Sequence, residues 1–324
     1  MDMNDDSSTL WRPLRTSLAY RIAIFTFWYW RFDALAYERH FTELGLDEGL
    51  SELPRDSGQC YVVPSYPVSE PPAALRVEGN RLVYTPKTFP NYFVDLTLDG
   101  GFEQYLQGFS SKTRSTLKRK VRRFAEASPQ GTLDWRVYRS PEEMPDFLAV
   151  ATALSERTYQ ARLLDCGLPT EPEFRQHVLE QARQRKAYGF VLFLGERPAA
   201  YVFSQRHRGI VSYDYVGHDP AFNALSPGTV LQYQILEYLF ADADAEVFDF
   251  TEGEGAHKAL FSTGRMLCAK SLVFPRRLGI TALVRAHLLL GKLNDMIDAL
   301  ADRLALRQKI RRFIRRGTVP AENP

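Results

Sequence analysis

The chain of 324 residues is 45% hydrophobic and 25% charged, with a formal net charge of +2. That composition fits a folded soluble protein with room for more than one domain, excludes a disordered or fibrous chain, and gives no whole-chain argument for nucleic acid. Three widely separated cysteines, Cys60, Cys166 and Cys268, with no CxxC between them, indicate a reducing compartment and exclude both a disulfide framework and a cysteine metal site.

Residues 1–10 are acidic and polar and read as a disordered leader without a secretory signal. The expected location is cytoplasmic, with a peripheral place at the inner membrane surface as an extension of it. Leu18 to Trp30 is the most apolar early run, but it contains Arg21 and is too short to span a bilayer, which needs about 20 apolar residues. Its aromatic cluster, Phe25, Phe27, Trp28, Tyr29 and Trp30, suits a membrane surface or a core, and the buried strand or helix is the reading adopted.

Short β-type runs follow at Cys60–Tyr66, Arg81–Tyr84 and Tyr92–Leu96, separated by Pro67, Pro71, Pro72, Pro86 and Pro90. Residues 99–130 switch to helical periodicity. Seven Lys/Arg lie between Lys112 and Arg123, with Leu117, Val121 and Phe124 as an apolar stripe. The positive face is either simply solvated or captures an acidic partner: an acyl carrier protein, a tRNA or a phosphorylated lipid.

Residues 171–186 read as a helix with Phe174, Val178 and Leu179 on one face. Tyr188–Leu194 and Ala199–Gln205 form a hairpin, and Ile210–Val216 is a third strand. A loop then leads to the helix Thr229–Phe240, the buried strand Glu246–Phe250, a short helix Ala256–Phe261 and a last strand Leu267–Phe274. Strand–helix–strand implies parallel pairing near residues 213 and 248, so the sheet is mixed. From Arg277 the chain is helical. The segment Arg307–Arg316 spaces apolar residues among six basic ones, suiting a membrane-surface or docking helix.

The stretch Asn223-Ala224-Leu225-Ser226-Pro227-Gly228-Thr229 starts a helix. Ser226 suits the N-cap, Pro227 the first helical position, and Gly228 admits a ligand to the backbone. Free N–H groups and the helix dipole there favour a phosphate, although many helices simply begin this way.

The element order, together with Val216 to Leu231 (VGHDPAFNALSPGTVL), resembles the GNAT acyltransferases, whose matching helix start holds the donor pyrophosphate. Phe248-Asp249-Phe250-Thr251-Glu252-Gly253 with Lys258 and Phe261, and the basic Ser111-Lys112-Thr113-Arg114 segment, resemble a narrower branch. That branch contains the CelD-like enzymes of polysaccharide biosynthesis and is related to the FemABX peptidyltransferases. The resemblance spans about residues 92–275. It implies an α/β fold with a mixed sheet: a GNAT-like core over 99–275, a smaller β-rich, degenerate GNAT-like subdomain over 11–98, and basic amphipathic helices over 276–324. It also implies acyl-CoA or acyl carrier protein thioester as co-substrate, with no metal. Two positions depart from the family. Phe261 stands where many members have a tyrosine that protonates the leaving thiolate, and His257 stands where the branch often has tyrosine.

Acyl transfer needs a donor cradle, a base and polarisation of the thioester carbonyl. Alternation along 210–216 puts Val211, Tyr213 and Tyr215 on one face and Ser212 and Asp214 on the other. Asp214 is a base or acceptor-binding carboxylate if it is not a structural aspartate. Asp249, Glu252 and Glu254 crowd the end of the next strand, where neighbouring carboxylates raise one another's pKa. The catalytic candidates are Asp214, Asp249, Glu252 and His257; the donor-binding candidates are Asn223, Ser226, Gly228, Thr229 and Lys258. His218 reads as a loop histidine. No GxSxG, Walker loop, HExxH or spaced His/Cys set is present. Three functions compete: acyl transfer to an amine or hydroxyl of a sugar, lipid or amino acid; aminoacyl transfer from tRNA; and a non-catalytic component of a polysaccharide assembly.

Overall fold

The alternation and capping signals resolve into eighteen principal elements in the computed structural model, which describes residues 10–23, 25–54, 58–157 and 167–303. In chain order these are β1 (Trp11–Ile22), β2 (Phe25–Tyr37), β3 (Cys60–Pro67), β4 (Leu75–Glu78), β5 (Arg81–Asp95), α1 (Gly101–Gln107), α2 (Ser111–Ala127), β6 (Asp134–Tyr138) and α3 (Met144–Ser155). There follow α4 (Pro172–Arg183), β7 (Ala187–Leu194), β8 (Arg197–His207), β9 (Ile210–His218), α5 (Pro227–Phe240), β10 (Val247–Glu252), α6 (Ala256–Phe261), β11 (Gly264–Pro275) and α7 (Leu278–Arg303). Residues 1–9 of the expected leader, Cys166 and the basic segment 307–316 lie outside the described residues. Contacts divide the chain into two units, Met1–Phe89 with Leu267–Pro324, and Pro90–Met266.

In the first unit β1 and β2 form a long antiparallel hairpin, β2 pairs parallel with β3, β3 antiparallel with β11, and β4 antiparallel with β5. Helix α7 covers one face, placing Val284 among Leu18, Tyr20, Leu82 and Phe274. The aromatic cluster is not a buried element as expected. Strand alternation divides it: Trp30 stacks on Phe274 at 5.2 Å, whereas Phe25 and Phe27 are 74% and 61% exposed. The two β runs expected at 81–84 and 92–96 are one strand, β5. Proline's fixed φ is compatible with extended backbone and removes only a ladder donor, so Pro86 and Pro90 do not break it.

The second unit is a mixed sheet. Strands β6, β7, β8 and β9 are successively antiparallel, β9 and β10 are parallel, and β10 is antiparallel to residues 91–95 of β5. β7 is an unbroken apolar run because helices cover both faces of the sheet. One core layer joins Leu117 and Phe124 of α2, Val230, Ile235 and Leu236 of α5, and Phe190 and Val202 of the sheet. The other joins Phe147 and Leu154 of α3 and Val178 of α4 to Val191 and Phe203. Ser110 caps α2 by accepting the Thr113 N–H at 3.1 Å. Arg114 reaches back to the carbonyls of Gln107 and Phe109 at 3.2 and 3.1 Å, closing the end of α1.

Candidate active site

The site begins with a break in strand pairing. Pairing between the parallel strands β9 and β10 ends at Ser212 and Asp249, yet β9 continues to His218 and β10 to Glu252. A slot therefore opens between their C-terminal ends. On the β8 side, Phe203 faces Tyr215 but Ser204 faces Tyr213, so Asp214 is the extra residue of a β-bulge. The bulge overturns the expected alternation. Tyr213 packs on Phe248 and Phe250 at 5.7 and 5.5 Å, whereas Tyr215 turns to Phe174 on the opposite face, at 5.4 Å.

Asp214 lies on the α4 side of the sheet. Gln205 Nε2 donates to its Oδ2 at 3.2 Å, and Gln205 Oε1 is in turn 2.8 Å from His177 Nε2 of α4. Burial pushes the Asp214 carboxyl above the usual aspartate range. Hydrogen bonds from Ser212 and Gln205 oppose that shift, and the charge of Asp249 adds to it. Asp249 Oδ1 accepts the Thr251 N–H at 2.8 Å, which holds Thr251 at φ +60° and turns the end of β10. Glu252 is exposed beyond that turn.

Helix α6 closes the same end. Lys258 Nζ donates to the carbonyls of Thr251 and Glu252 at 3.3 and 2.9 Å, so this candidate donor-binding amine ties α6 to β10. Burial lowers its pKa, against the pull of Asp249 and Glu252. His257 reaches solvent at one edge, with its ring 6.0 Å from Tyr213 and 6.3 Å from Phe250. That partial desolvation, with the Lys258 charge, holds its pKa below the ordinary histidine value. Phe261 is 1% exposed and belongs to the core, and its carbonyl accepts the Tyr105 hydroxyl at 2.5 Å.

Beyond β9, residues Pro220–Leu225 form a 3-10 turn capped by Asp219, and His218 Nε2 lies 2.9 Å from Asn223 Oδ1. Ser226 is in the left-handed region, and its hydroxyl does not cap α5 as expected. The cap is made by its backbone carbonyl, which accepts from Thr229 and Val230 at 3.0 and 3.1 Å. Pro227 has no N–H, so Gly228 supplies the open donor at this helix start, and a Cβ built there meets nothing within 4 Å. Lys120 Nζ of α2 lies 3.4 Å from Thr229 Oγ1. A cation and an accessible amide thus flank the positive end of α5, an arrangement that suits a phosphate.

Asp214, Asp249, Glu252, His257 and Lys258 gather at the strand ends, and Asn223, Ser226, Gly228 and Thr229 at the start of α5. Sequence reasoning missed His177, Gln205 and Lys120 as site partners. Gln205 left one trace, as a polar residue closing the apolar run of β8; Lys120 was visible only as one charge among seven. Among the described residues no His/Cys/Asp/Glu group is arranged for a metal ion. The outer face of α2 forms an open groove of about 550 Å³ lined by Ser111, Arg114, Ser115, Lys118, Arg119 and Arg122.

Residues 111–259 match the acetyltransferase (GNAT) domain family. No protein of curated function was found to match the sequence. Among solved structures, the C-terminal domain of a protein named as a lysylphosphatidylglycerol synthetase from Agrobacterium fabrum is 17% identical, covering 72% of each chain at a TM-score of 0.46. L-PGS from Bacillus licheniformis is 15% identical over 71% of this chain and 73% of its own, at 0.43. FemX is 13% identical over 60% and 63%, also at 0.43.

Proposed function

We propose that this chain, carrying a GNAT-type acetyltransferase domain over residues 111–259, transfers an acyl group from acyl-CoA or an acyl carrier protein thioester to an amine or hydroxyl. The acceptor would be a sugar, lipid or amino acid of polysaccharide or cell-envelope biosynthesis. One observation carries the reading: the slot between β9 and β10 has the phosphate-suited start of α5 beyond one strand and the Asp214–Asp249 pair at its edge. A thioester laid through such a slot has its pyrophosphate or phosphopantetheine phosphate at Gly228 and Lys120 and its carbonyl beside Asp214.

Asp214 accepts a proton from the acceptor nitrogen or oxygen as that atom attacks the carbonyl. Its raised pKa brings it closer to the base strength the step requires. The C–S bond then breaks, and the thiolate takes its proton from water. His257, held below its ordinary pKa, is largely neutral near pH 7 and better suited to accept a proton than to give one. The groove of α2 supports capture of an acidic carrier, and it equally favours a second reading, aminoacyl transfer from tRNA.

The test is calorimetric titration with acetyl-CoA, followed by thioester consumption against pooled amine and sugar acceptors. Gly228→Val should remain folded, since the space beside Gly228 is open, and should lose donor binding. Unchanged affinity in the folded variant removes the start of α5 from the site. Donor binding by the wild type without consumption against any acceptor, charged tRNA included, favours the non-catalytic reading.

A further inference from the structure

The tip of the β1–β2 hairpin is graded in polarity along its length. Ile22, Phe25 and Phe27 are exposed hydrocarbon at the turn, Tyr29 on the same face carries a hydroxyl, and Arg31 comes next. The Arg31 guanidinium lies 5.8 Å from the Tyr29 ring. At about 3.3 Å per residue, Tyr29 stands roughly 13 Å from Phe25 and Arg31 roughly 20 Å. Apolar rings, then an amphipathic ring, then a cation is the order met on crossing from acyl chains through headgroups to water.

Helix α7 runs to the same tip. Asn294 Oδ1 accepts the Ala23 N–H at 2.8 Å and its Nδ2 donates to the Arg21 carbonyl at 3.0 Å. Past Asn294, Met296 and Leu300 are exposed on α7. The sequence after α7 then places six Lys/Arg between Arg307 and Arg316. The tip of a two-stranded ribbon is too narrow for the roughly 800 Å² per partner of a standard protein interface. Insertion into a lipid surface asks only that a few rings enter and that cations sit at the phosphates.

We infer that the β1–β2 hairpin tip docks this protein on an anionic lipid bilayer, with Phe25 and Phe27 entering the interface and Arg31 meeting lipid phosphates. The inference does not depend on acyl transfer.

The test is co-sedimentation of the full chain with vesicles of phosphatidylglycerol and phosphatidylcholine, and with phosphatidylcholine alone. Wild type should bind the anionic vesicles, and Phe25→Ser/Phe27→Ser should bind them at least tenfold more weakly while keeping its circular dichroism. Arg31→Glu should lose most of the preference for anionic lipid. Emission from Trp28 should be quenched by brominated lipid in the wild type, and Trp28→Phe should remove that quenching. Undiminished binding of the serine variant overturns the proposal. So does wild-type sedimentation as a dimer that the serine variant abolishes, without vesicle binding, because the tip would then bind a second copy.

Discussion

The base role proposed for Asp214 comes with a stability cost, and the two are separable by measurement. Its carboxyl is raised in the folded chain, so the native state holds its proton to higher pH than the unfolded state does. Stability therefore falls as pH rises above the ordinary value of 3.8 through the folded value. Asp214→Asn should raise the melting temperature at pH 7, with the gain vanishing below about pH 4, while thioester turnover falls about 100-fold or more. Thermal melts at several pH values beside the turnover assay check this, and a melting temperature lowered at pH 7 would make Asp214 structural. Candidate residues of this kind were legible because carboxylates at strand ends are unusual in an apolar sheet. Their supports were not: nothing in the local sequence tells that His177, on a helix packed over that face of the sheet, orients Gln205 against Asp214. The bulge was equally hidden, because Ser212-Tyr213-Asp214-Tyr215 reads as ordinary alternation.

Among elements, α2 offers a clean division between packing and charge. Leu117 and Phe124 are buried, Arg114 closes α1, and Lys118, Arg119 and Arg122 are exposed on the groove. Reversing those three to glutamate should leave the melting temperature nearly unchanged. It should weaken acyl carrier protein or tRNA binding at least tenfold and flatten the salt dependence of whatever remains. Indifference of every acidic partner to the reversal would leave the face merely solvated. The elements from α4 to β11 were readable because periodicities of 3.6 and 2.0 alternate cleanly there, with Gly195 and Pro227 as punctuation. The β1–β2 hairpin was not, since its turn at Ala23 (φ +51°) carries none of the Asn-Gly or Asp-Gly signals that usually mark one.

At the scale of the whole molecule, the first unit carries its own pH dependence. His287 of α7 lies 2.6 Å from the Tyr84 hydroxyl, and burial together with the Arg21 charge holds its pKa below 6.5 despite its hydrogen bond to the Ala19 backbone carbonyl. Its folded pKa being depressed, the stability it permits is present above about pH 6.5 and is lost as pH falls through the folded value. Once corrected for the intrinsic rate, hydrogen exchange of the β1–β3 amides should show excess opening as pH falls from 7 to 5, and His287→Gln should remove most of that excess. An equal excess in the variant would place the acid sensitivity elsewhere.

The first unit is also discontinuous in the chain, and that has a consequence during synthesis. Its core sets Leu18, Tyr20 and Val62 against Leu272, Phe274 and Val284, while the second unit is the unbroken stretch Pro90–Met266. On a ribosome adding roughly 5–20 residues per second, the first strands wait on the order of 10–50 s for the partners that cover them. The second unit, complete in itself, can fold in that interval. A nascent chain halted near residue 266 would carry a formed second unit behind bare aromatic strands, and chaperones would find their clients there, in the first strands.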